Sequence, residues 1–242
     1  MFVRILTGAL FAGFLAGLAA AVLQLQFVQP LLLQAELYES GELAHFSDGH
    51  AQTREDEHAH ERVPRGDGGF DPIRDGLSAL FSALIYVGYA LMMVAAIAVA
   101  SERGVRADVR RGLLWGIAGW ASFQFAPAIG LPPELPGSAA ADLALRQIWW
   151  FATAAATCAG LALIAFGRGI AAWGAAALLL FAPHAVGAPH PQGYAGPVPP
   201  ELAAQFATRA LGAGLVAWAL MGCLAGHFWR RGSELAARTL PT

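Results

Sequence analysis

The chain has 242 residues, of which 57% are hydrophobic and 13% charged, and its mean hydropathy is +0.51. Soluble domains carry about 25% charged residues, so this composition excludes an ordinary soluble protein. The formal net charge of −2 provides no large basic face for nucleic acid. The absence of lysine also excludes a P-loop, which needs a lysine to contact phosphates.

Six segments are apolar and long enough to cross the roughly 30 Å hydrocarbon layer as helices. The first resembles a secretory signal at its start, but its apolar run is longer than a signal core of about 7–15 residues, so we expect it to be retained. We predict an all-α fold, a polytopic membrane helix bundle forming one integral membrane domain over residues 1–242. The six segments are Ile5 to Leu33, Leu77 to Ala100, Gly112 to Ile129, Ile148 to Gly167, Ile170 to Val186 and Leu202 to Phe228.

The arginines predict the orientation of the bundle, because cytoplasmic connections are enriched in positive charge. When six spans are threaded through a bilayer, one side receives Arg4, Arg103, Arg106, Arg110, Arg111, Arg168, Arg230, Arg231 and Arg238. We therefore expect a multi-pass protein of the bacterial inner (cell) membrane with both termini in the cytoplasm. Segments 34–74, 130–146 and 187–201 then face the periplasm.

The segment 34–74, between the first and second helices, is rich in histidine and acidic residues. It has few apolar residues, so we expect a hydrated loop. Imidazole and carboxylate groups bind divalent cations, but the histidine spacings match no closed metal-site framework. We predict weak, exchangeable metal binding here, and the alternative is an acidic loop without a ligand. The candidate ligands are His45, His50, His58 and His60.

A repeated turn follows two of the apolar segments. Phe125-Ala-Pro is followed after five residues by Pro133-Glu134, and Phe181-Ala-Pro is followed after five residues by Pro189-His190. Proline ends or kinks a helix, and irregular backbone at membrane depth is tolerated where it is buried or lines a cavity. We predict that each turn presents metal ligands: Glu134 in the first copy, His184 and His190 in the second. The alternative is a pair of Pro-rich turns that only close hairpins.

The first span carries a weaker match, in which Phe27 and Pro30 end the span and Glu36 falls nine residues after Phe27. This adds Glu36 to the predicted metal ligands. The two clearer copies would each follow a helical hairpin, 77–129 and 148–186, related by an axis along the membrane normal.

Polar residues inside apolar spans are costly and tend to face a cavity or a partner. They lie in the outward halves of the spans, which indicates an outer vestibule above a constriction. Arg209 needs a carboxylate, with Glu134 or Glu36 as candidates, or backbone carbonyls, or else it extends to the interface. Three Gly-x3-Gly pairs, beginning at Gly13, Gly112 and Gly222, have the pattern that lets helices approach closely. The polar residues are Gln24, Gln26, Gln29, Gln124, Gln147, Gln205 and Arg209.

The chain resembles the CbtA family of predicted cobalt transporter subunits. The resemblance rests on Pro30 with Ala35-Glu36, on the run Phe-Ala-Pro-Ala-Ile-Gly-Leu-Pro-Pro-Glu-Leu-Pro-Gly ending at Gly137, and on Pro183-His184 with Pro189-His190-Pro191. It implies cobalt import for cobalamin synthesis, together with a small single-span, His-bearing partner, CbtB.

These observations predict an inner-membrane permease or permease subunit for a divalent metal, with cobalt or nickel as the transported ion and no tightly bound cofactor. The alternative is a non-transporting membrane scaffold or metal-sensing subunit that needs a partner to form the pore. A homo-oligomer is also compatible with the sequence. An enzyme using Glu134 and His190 for acid/base work has only the general suitability of those groups in its favour, so we expect no enzyme.

Overall fold

The structure is a computed structural model that describes residues 2–43 and 72–238, and these residues form helices without any strand. The predicted His45, His50, His58 and His60 lie outside the described residues. The helices, in chain order, are α1 (Phe2–Leu23), the π-helical turn π1 (Gln24–Val28), α2 (Gln29–Glu39), α3 (Pro72–Glu102), α4 (Val109–Trp120), the π-helical turn π2 (Ala121–Phe125), α5 (Ala126–Gly130), α6 (Leu143–Phe166), α7 (Gly169–Val186) and α8 (Pro200–Arg238).

Five helical stretches of the described chain are long and apolar enough to cross a membrane: Ile5–Glu39, Pro72–Glu102, Leu143–Phe166, Gly169–Val186 and Pro200–Leu235. The sixth predicted span corresponds to α4, π2 and α5, which follow one another without a break. At about 1.5 Å per residue this stretch is about 33 Å long, enough for the hydrocarbon layer. The predicted polytopic helical bundle is confirmed.

The expected end of the first span at Pro30 is wrong, because the helix continues through this proline to Glu39. The π1 turn directly before Pro30 accommodates the missing amide and the bulky ring. The segment expected to be a loop from residue 34 to residue 74 is therefore helical at both ends, since α3 already begins at Pro72. Glu36 lies on α2, not beyond it.

Successive connections lie at alternate ends of the bundle. We call the end formed by segments 131–142 and 187–199 the Pro-rich end, and the end formed by segments 103–108 and 167–168 the Arg-rich end. The two segments of the Pro-rich end contact each other, since the Ala139 amide donates to the Ala195 carbonyl at 2.8 Å.

Glycine pairs allow the closest helix contacts. A methyl group at Gly112 would overlap the carbonyl oxygen of Gly222, and one at Gly116 would overlap that of Trp218, so α4 and α8 lie backbone to backbone. On α1, a methyl group at Gly13 or Gly17 would overlap the backbone of α3 at Val87 or Ala83. The predicted role of the three Gly-x3-Gly pairs is thus confirmed.

These contacts decide which helices are neighbours. The main packed pairs are α1 with α3, α1 with α8, α4 with α8, and α6 with α7. The expected hairpin 77–129 is therefore not a packed unit, because the glycine face of α4 packs on α8 and α3 packs on α1. The hairpin of α6 and α7 does pack, and it meets the rest of the bundle mainly through π2 and α5.

Candidate functional site

A single residue separates the end of each π-helical turn from a proline. The amide of Gln29 donates to the Gln24 carbonyl, and the amide of Ala126 donates to the Ala121 carbonyl, so each bond spans five residues instead of four. Pro30 and Pro127 then follow. Single π-helical turns of this kind occur frequently at functional sites. The two spans thus share one backbone device, aligned on the prolines.

One stretch of α8 holds both π-helical turns. The guanidinium of Arg209 donates to the Phe27 carbonyl in π1 at 3.3 Å and to the side-chain oxygen of Gln205 at 3.4 Å. The Trp120 indole, directly before π2, donates to the Leu211 carbonyl at 3.1 Å. Of the two kinds of partner expected for Arg209, the structure shows the backbone carbonyl.

A cavity of about 590 Å³, the Pro-end cavity, runs from the Pro-rich end to the middle of the bundle. Glu134 and Arg146 line its mouth, and Tyr89 and Phe123 line its floor. A vestibule was predicted at the end of the bundle that holds the polar residues, and this cavity lies at that end. Three of the polar residues expected to face it do so, namely Gln24, Gln124 and Gln147.

Glu134 is held at the mouth by an ion pair. Its carboxylate accepts a hydrogen bond from the Arg146 guanidinium at 2.8 Å, and the two side chains are 31% and 27% exposed. Because solvent reaches both groups, the pair contributes only about 0–1 kcal/mol to stability. The carboxylate can therefore exchange Arg146 for another cation at little cost.

We call the two repeated turns, residues 125–134 and 181–190, the first and second proline corners. His184 and His190 lie in the second corner, and each has an aromatic neighbour. The His184 ring packs edge-on against Trp149, with ring centres 6.0 Å apart. The His190 Nδ1 atom lies 3.2 Å from the Tyr194 hydroxyl. The Trp149 indole also donates to the Pro183 carbonyl at 3.2 Å, which ties α6 to the corner.

The two proline corners touch each other. A methyl group at Gly130, in the first corner, would overlap Ala188 in the second and the Trp149 ring between them. Glu36 lies on an exposed face of α2, whose buried face joins Leu135 and Leu202 in a small apolar cluster at the same end. Packing therefore brings the segments that carry the four predicted ligands within the described residues to the Pro-rich end.

These ligands are not assembled into a closed metal site. Over the described ranges 2–43 and 72–238, no group of three or more His, Cys, Asp or Glu side chains lies close enough to hold a metal ion. Cys223 and His227, which share a face of α8, belong to no such group either. Among these predicted ligands Glu134 lines the Pro-end cavity, whereas His184, His190 and Glu36 lie at the same end of the bundle outside its lining.

Four aromatic rings close the Pro-end cavity at its floor, and we call them the aromatic cluster: Tyr86, Tyr89, Phe123 and Trp218. Tyr89 lies 4.8 Å from Trp218 and 5.5 Å from Phe123, measured between ring centres, and Phe123 stacks on Trp218 at 5.8 Å. On the other side of these rings is a second, mostly apolar cavity of about 1130 Å³, the Arg-end cavity. Tyr89 and Phe123 line both cavities.

The family comparison covers all of these elements. A sequence model of the family described as "Probable cobalt transporter subunit (CbtA)" matches residues 2–230. The chain belongs to the CbtA family. No curated protein and no solved structure matches it. The family description names a probable cobalt transporter subunit and, as a subunit, implies a partner. Together with the apolar helices it indicates a multi-pass membrane protein.

Several residues of this CbtA-family site were not identified from the sequence. Arg146 ends the segment 130–146, where the sequence pattern gives it no role, and Tyr86, Tyr89 and Trp218 lie in apolar spans whose pattern does not distinguish them. Asp75 is a buried carboxylate at the start of α3 that lies 3.1 Å from Arg74 and 3.4 Å from the Gln29 amide. Its only sequence signal was an Arg-Asp pair next to an apolar segment.

Proposed function

We propose that the chain is an inner-membrane permease subunit that takes up a divalent metal, with cobalt as the ion, from the periplasmic side. The Pro-end cavity carries this proposal, because it leads from an exchangeable carboxylate to the middle of a bundle in a family of cobalt transporter subunits. The Pro-rich end is periplasmic in this proposal, and both termini are cytoplasmic. This orientation follows from the arginines of the opposite end.

Capture begins with an exchange of cations at Glu134. An arriving divalent ion competes with the Arg146 guanidinium for the carboxylate, and the exchange is inexpensive because both side chains are partly exposed. His184 and His190, on the adjoining corner, supply neutral imidazoles, which suit cobalt and nickel as ligands. Glu36 adds a carboxylate on the same end of the bundle. These side chains act as successive contacts for the ion.

The histidines at positions 45, 50, 58 and 60 form a collecting segment in this proposal. Their imidazoles and the neighbouring carboxylates raise the local concentration of metal at the mouth by weak binding. A small single-span, His-bearing subunit of the CbtB type is the proposed partner.

Cobalt uptake by cells that carry the double substitution His184→Ala and His190→Ala tests the capture step. We expect uptake to fall at low cobalt concentration, because two imidazoles at the Pro-rich end are lost. His227→Ala serves as the control, since this histidine lies near the Arg-rich end. Uptake equal to wild type at equal expression would remove the two histidines from the pathway.

Liposomes containing the purified chain distinguish the permease from a non-transporting scaffold or metal-sensing subunit. A permease passes cobalt in this preparation by itself. A scaffold or metal-sensing subunit passes no cobalt by itself, and passes it only after a CbtB-type partner is added to form the pore.

A further inference from the structure

The Pro-end cavity changes its chemistry with depth. Among the residues that the structure describes, the charged ones lining it are Glu134 and Arg146, at the mouth. The polar side chains that line it further in are all neutral and all carry an oxygen atom. They are Gln24, Ser82, Tyr86, Tyr89, Gln124 and Gln147. Such a lining can accept a cation but holds it less firmly than carboxylates would.

Gln124 is the clearest of these residues, because its side-chain oxygen Oε1 is buried without a hydrogen-bond partner. Its carboxamide lies against Gly214 of α8 and close to Tyr86 of α3. A buried acceptor left unsatisfied costs about 1–3 kcal/mol. The fold tolerates this cost at the place where π2 meets the cavity.

A second unsatisfied group lies on α8, one helical turn after Gly214. The Trp218 indole N–H, in the aromatic cluster, is buried without an acceptor. In the described part of the chain only Thr153 provides another such side-chain atom. Buried polar groups without partners are rare in native proteins. Of these atoms in the described residues, the Gln124 oxygen is the one that belongs to a residue lining the Pro-end cavity and that can accept a cation, whereas the Trp218 N–H is a donor on the side of the Arg-end cavity.

Gln24 brings a second carboxamide to the same cavity from the other π-helical turn. In both turns, the amide of the residue before the proline donates to the carbonyl five residues earlier. Both turns also contact the stretch of α8 from Arg209 to Gly214. The two glutamines therefore come from rigid backbone positions on two different spans. Tyr86, near the middle of α3, belongs to the aromatic cluster and also lines this cavity.

We propose that Gln24, Gln124 and Tyr86 form a neutral oxygen site that binds a partly hydrated divalent cation halfway along the pathway. This inference rests on the proposed function, and it names the place where the ion waits before the aromatic cluster. The cavity of about 590 Å³ has room for roughly twenty waters at about 30 Å³ each, so the ion keeps most of its hydration shell.

Neutral oxygen ligands suit a transport intermediate better than carboxylates do. A permeation site must bind strongly enough to admit the ion and weakly enough to release it. Carboxamide and hydroxyl oxygens replace a few water ligands without fixing the ion by opposite charge. In this proposal, Glu134 and the histidines of the Pro-rich end select the ion, and the two glutamines of the inner site let it pass.

Substitutions at Gln124 test the site through both binding and transport. Gln124→Glu adds a negative charge, so we expect cobalt to bind the purified protein at least about tenfold more tightly, which corresponds to about 1.4 kcal/mol. The maximal uptake rate should fall because release is slower. Gln124→Leu removes the oxygen at similar volume, and it should lower the maximal rate while the KM set at the mouth changes little.

Two further variants make the test specific. Gln26 lies in the π1 turn with Gln24 but does not line the cavity. The variant Gln26→Leu should therefore bind and transport cobalt as wild type does. Adding Gln24→Leu to Gln124→Glu should remove much of the gain in cobalt affinity, because the two carboxamides share one ion. Unfolding temperatures in detergent confirm that each variant is folded.

The outcomes separate the site from the proposed function. A gain in affinity in Gln124→Glu that depends on Gln24 supports the site even if wild-type liposomes pass no cobalt, a result that would overturn only the permease. Equal cobalt affinity in wild type and Gln124→Glu would overturn the site, whatever the transport rate. A gain that is the same with and without Gln24→Leu would also overturn it, since any added carboxylate would then suffice.

Discussion

The side-chain oxygen of Gln124 occupies the space that a side chain at Gly214 would fill. Gly214 thereby lets a polar group of the π2 turn lie against α8 in the middle of the bundle. In the same stretch of α8, the Leu211 carbonyl accepts a hydrogen bond from the Trp120 indole, and the Arg209 guanidinium donates one to the Phe27 carbonyl in π1. One helix therefore sets the positions of both π-helical turns and of the cavity that they line.

Three glycine-to-alanine substitutions on α8 should differ in stability in a fixed order. Gly222→Ala places a methyl group against the backbone of Gly112 and Gly116, which cannot move aside, so we expect a loss of about 1–3 kcal/mol. Gly214→Ala meets only the end of the flexible Gln124 side chain and should cost less. Gly212→Ala meets nothing within 4 Å and should unfold as wild type does.

Thermal unfolding in one detergent measures all three variants on a common scale. Equal unfolding temperatures for Gly212→Ala and Gly222→Ala would contradict the close contact of α4 with α8. Gly214→Ala should in addition reduce cobalt uptake, because it displaces the Gln124 carboxamide while the helix contact survives.

Substituting Glu134 and substituting Arg146 should change the KM for cobalt uptake in opposite directions. Arg146→Gln frees the carboxylate and removes a positive charge from the mouth, so the KM for cobalt should fall. Glu134→Gln removes the anion, so the KM should rise. An exposed pair is worth about 0.2–1 kcal/mol, which corresponds to a change of up to about fivefold.

Initial uptake rates over a range of cobalt concentrations measure these KM values. Glu102→Gln, an exposed acidic residue at the Arg-rich end, is the matched control and should leave the KM unchanged. A rise in KM for Arg146→Gln would mean that the guanidinium helps to hold the ion or the corner, and the exchange step would have to be abandoned.

The sequence predicted the helices well because hydropathy over a span-length window reports burial in lipid directly. It also predicted the glycine contacts, since glycine at four-residue spacing leaves a flat strip on a helix. It did not predict that the helix passes through Pro30. Proline normally ends a helix, and only the π1 turn, which depends on contacts with α8, keeps the chain helical.

The site was harder to predict than the fold because its partners come from different spans. Glu134 pairs with Arg146 across a connection whose path no local pattern describes. Tyr89 and Trp218 look like ordinary apolar residues in the sequence, and only the packing of α3 against α8 and π2 shows that they close a cavity. The positions of Glu134, His184 and His190 in proline corners were identified, but their individual contacts were not.

The His-rich segment should matter for cobalt collection rather than for the maximal rate. Replacing residues 45–60 by a Gly/Ser segment of equal length should raise the KM several-fold and leave the maximal rate unchanged, because weak ligands only raise the local ion concentration. A variant with the same residues in scrambled order should behave as wild type does. Loss of function in the scrambled variant would indicate a defined site in this segment.

Phe123 should control whether the two cavities communicate. Its ring stacks on Trp218 and contacts Tyr89 between the Pro-end and Arg-end cavities. Phe123→Ala removes this ring, so liposomes preloaded with cobalt should leak faster and the leak should select less between cobalt and other small cations. Phe123 is partly buried, so its truncation costs at most the about 3–5 kcal/mol of a fully buried Phe. Phe123→Leu, a smaller change, should show a weaker leak in a more stable protein.

Phe125→Ala is the matched control for the leak, because this ring lies two residues further along the chain, is 45% exposed and stacks on Trp120. It should leave the leak at the wild-type rate. The rate of cobalt release from the liposomes, measured at equal protein content, compares the variants. Equal leak rates for Phe123→Ala and Phe125→Ala would show that the ion does not pass through the aromatic cluster. The pathway from the Pro-end cavity would then have to leave the bundle elsewhere, for example at an interface with the partner subunit.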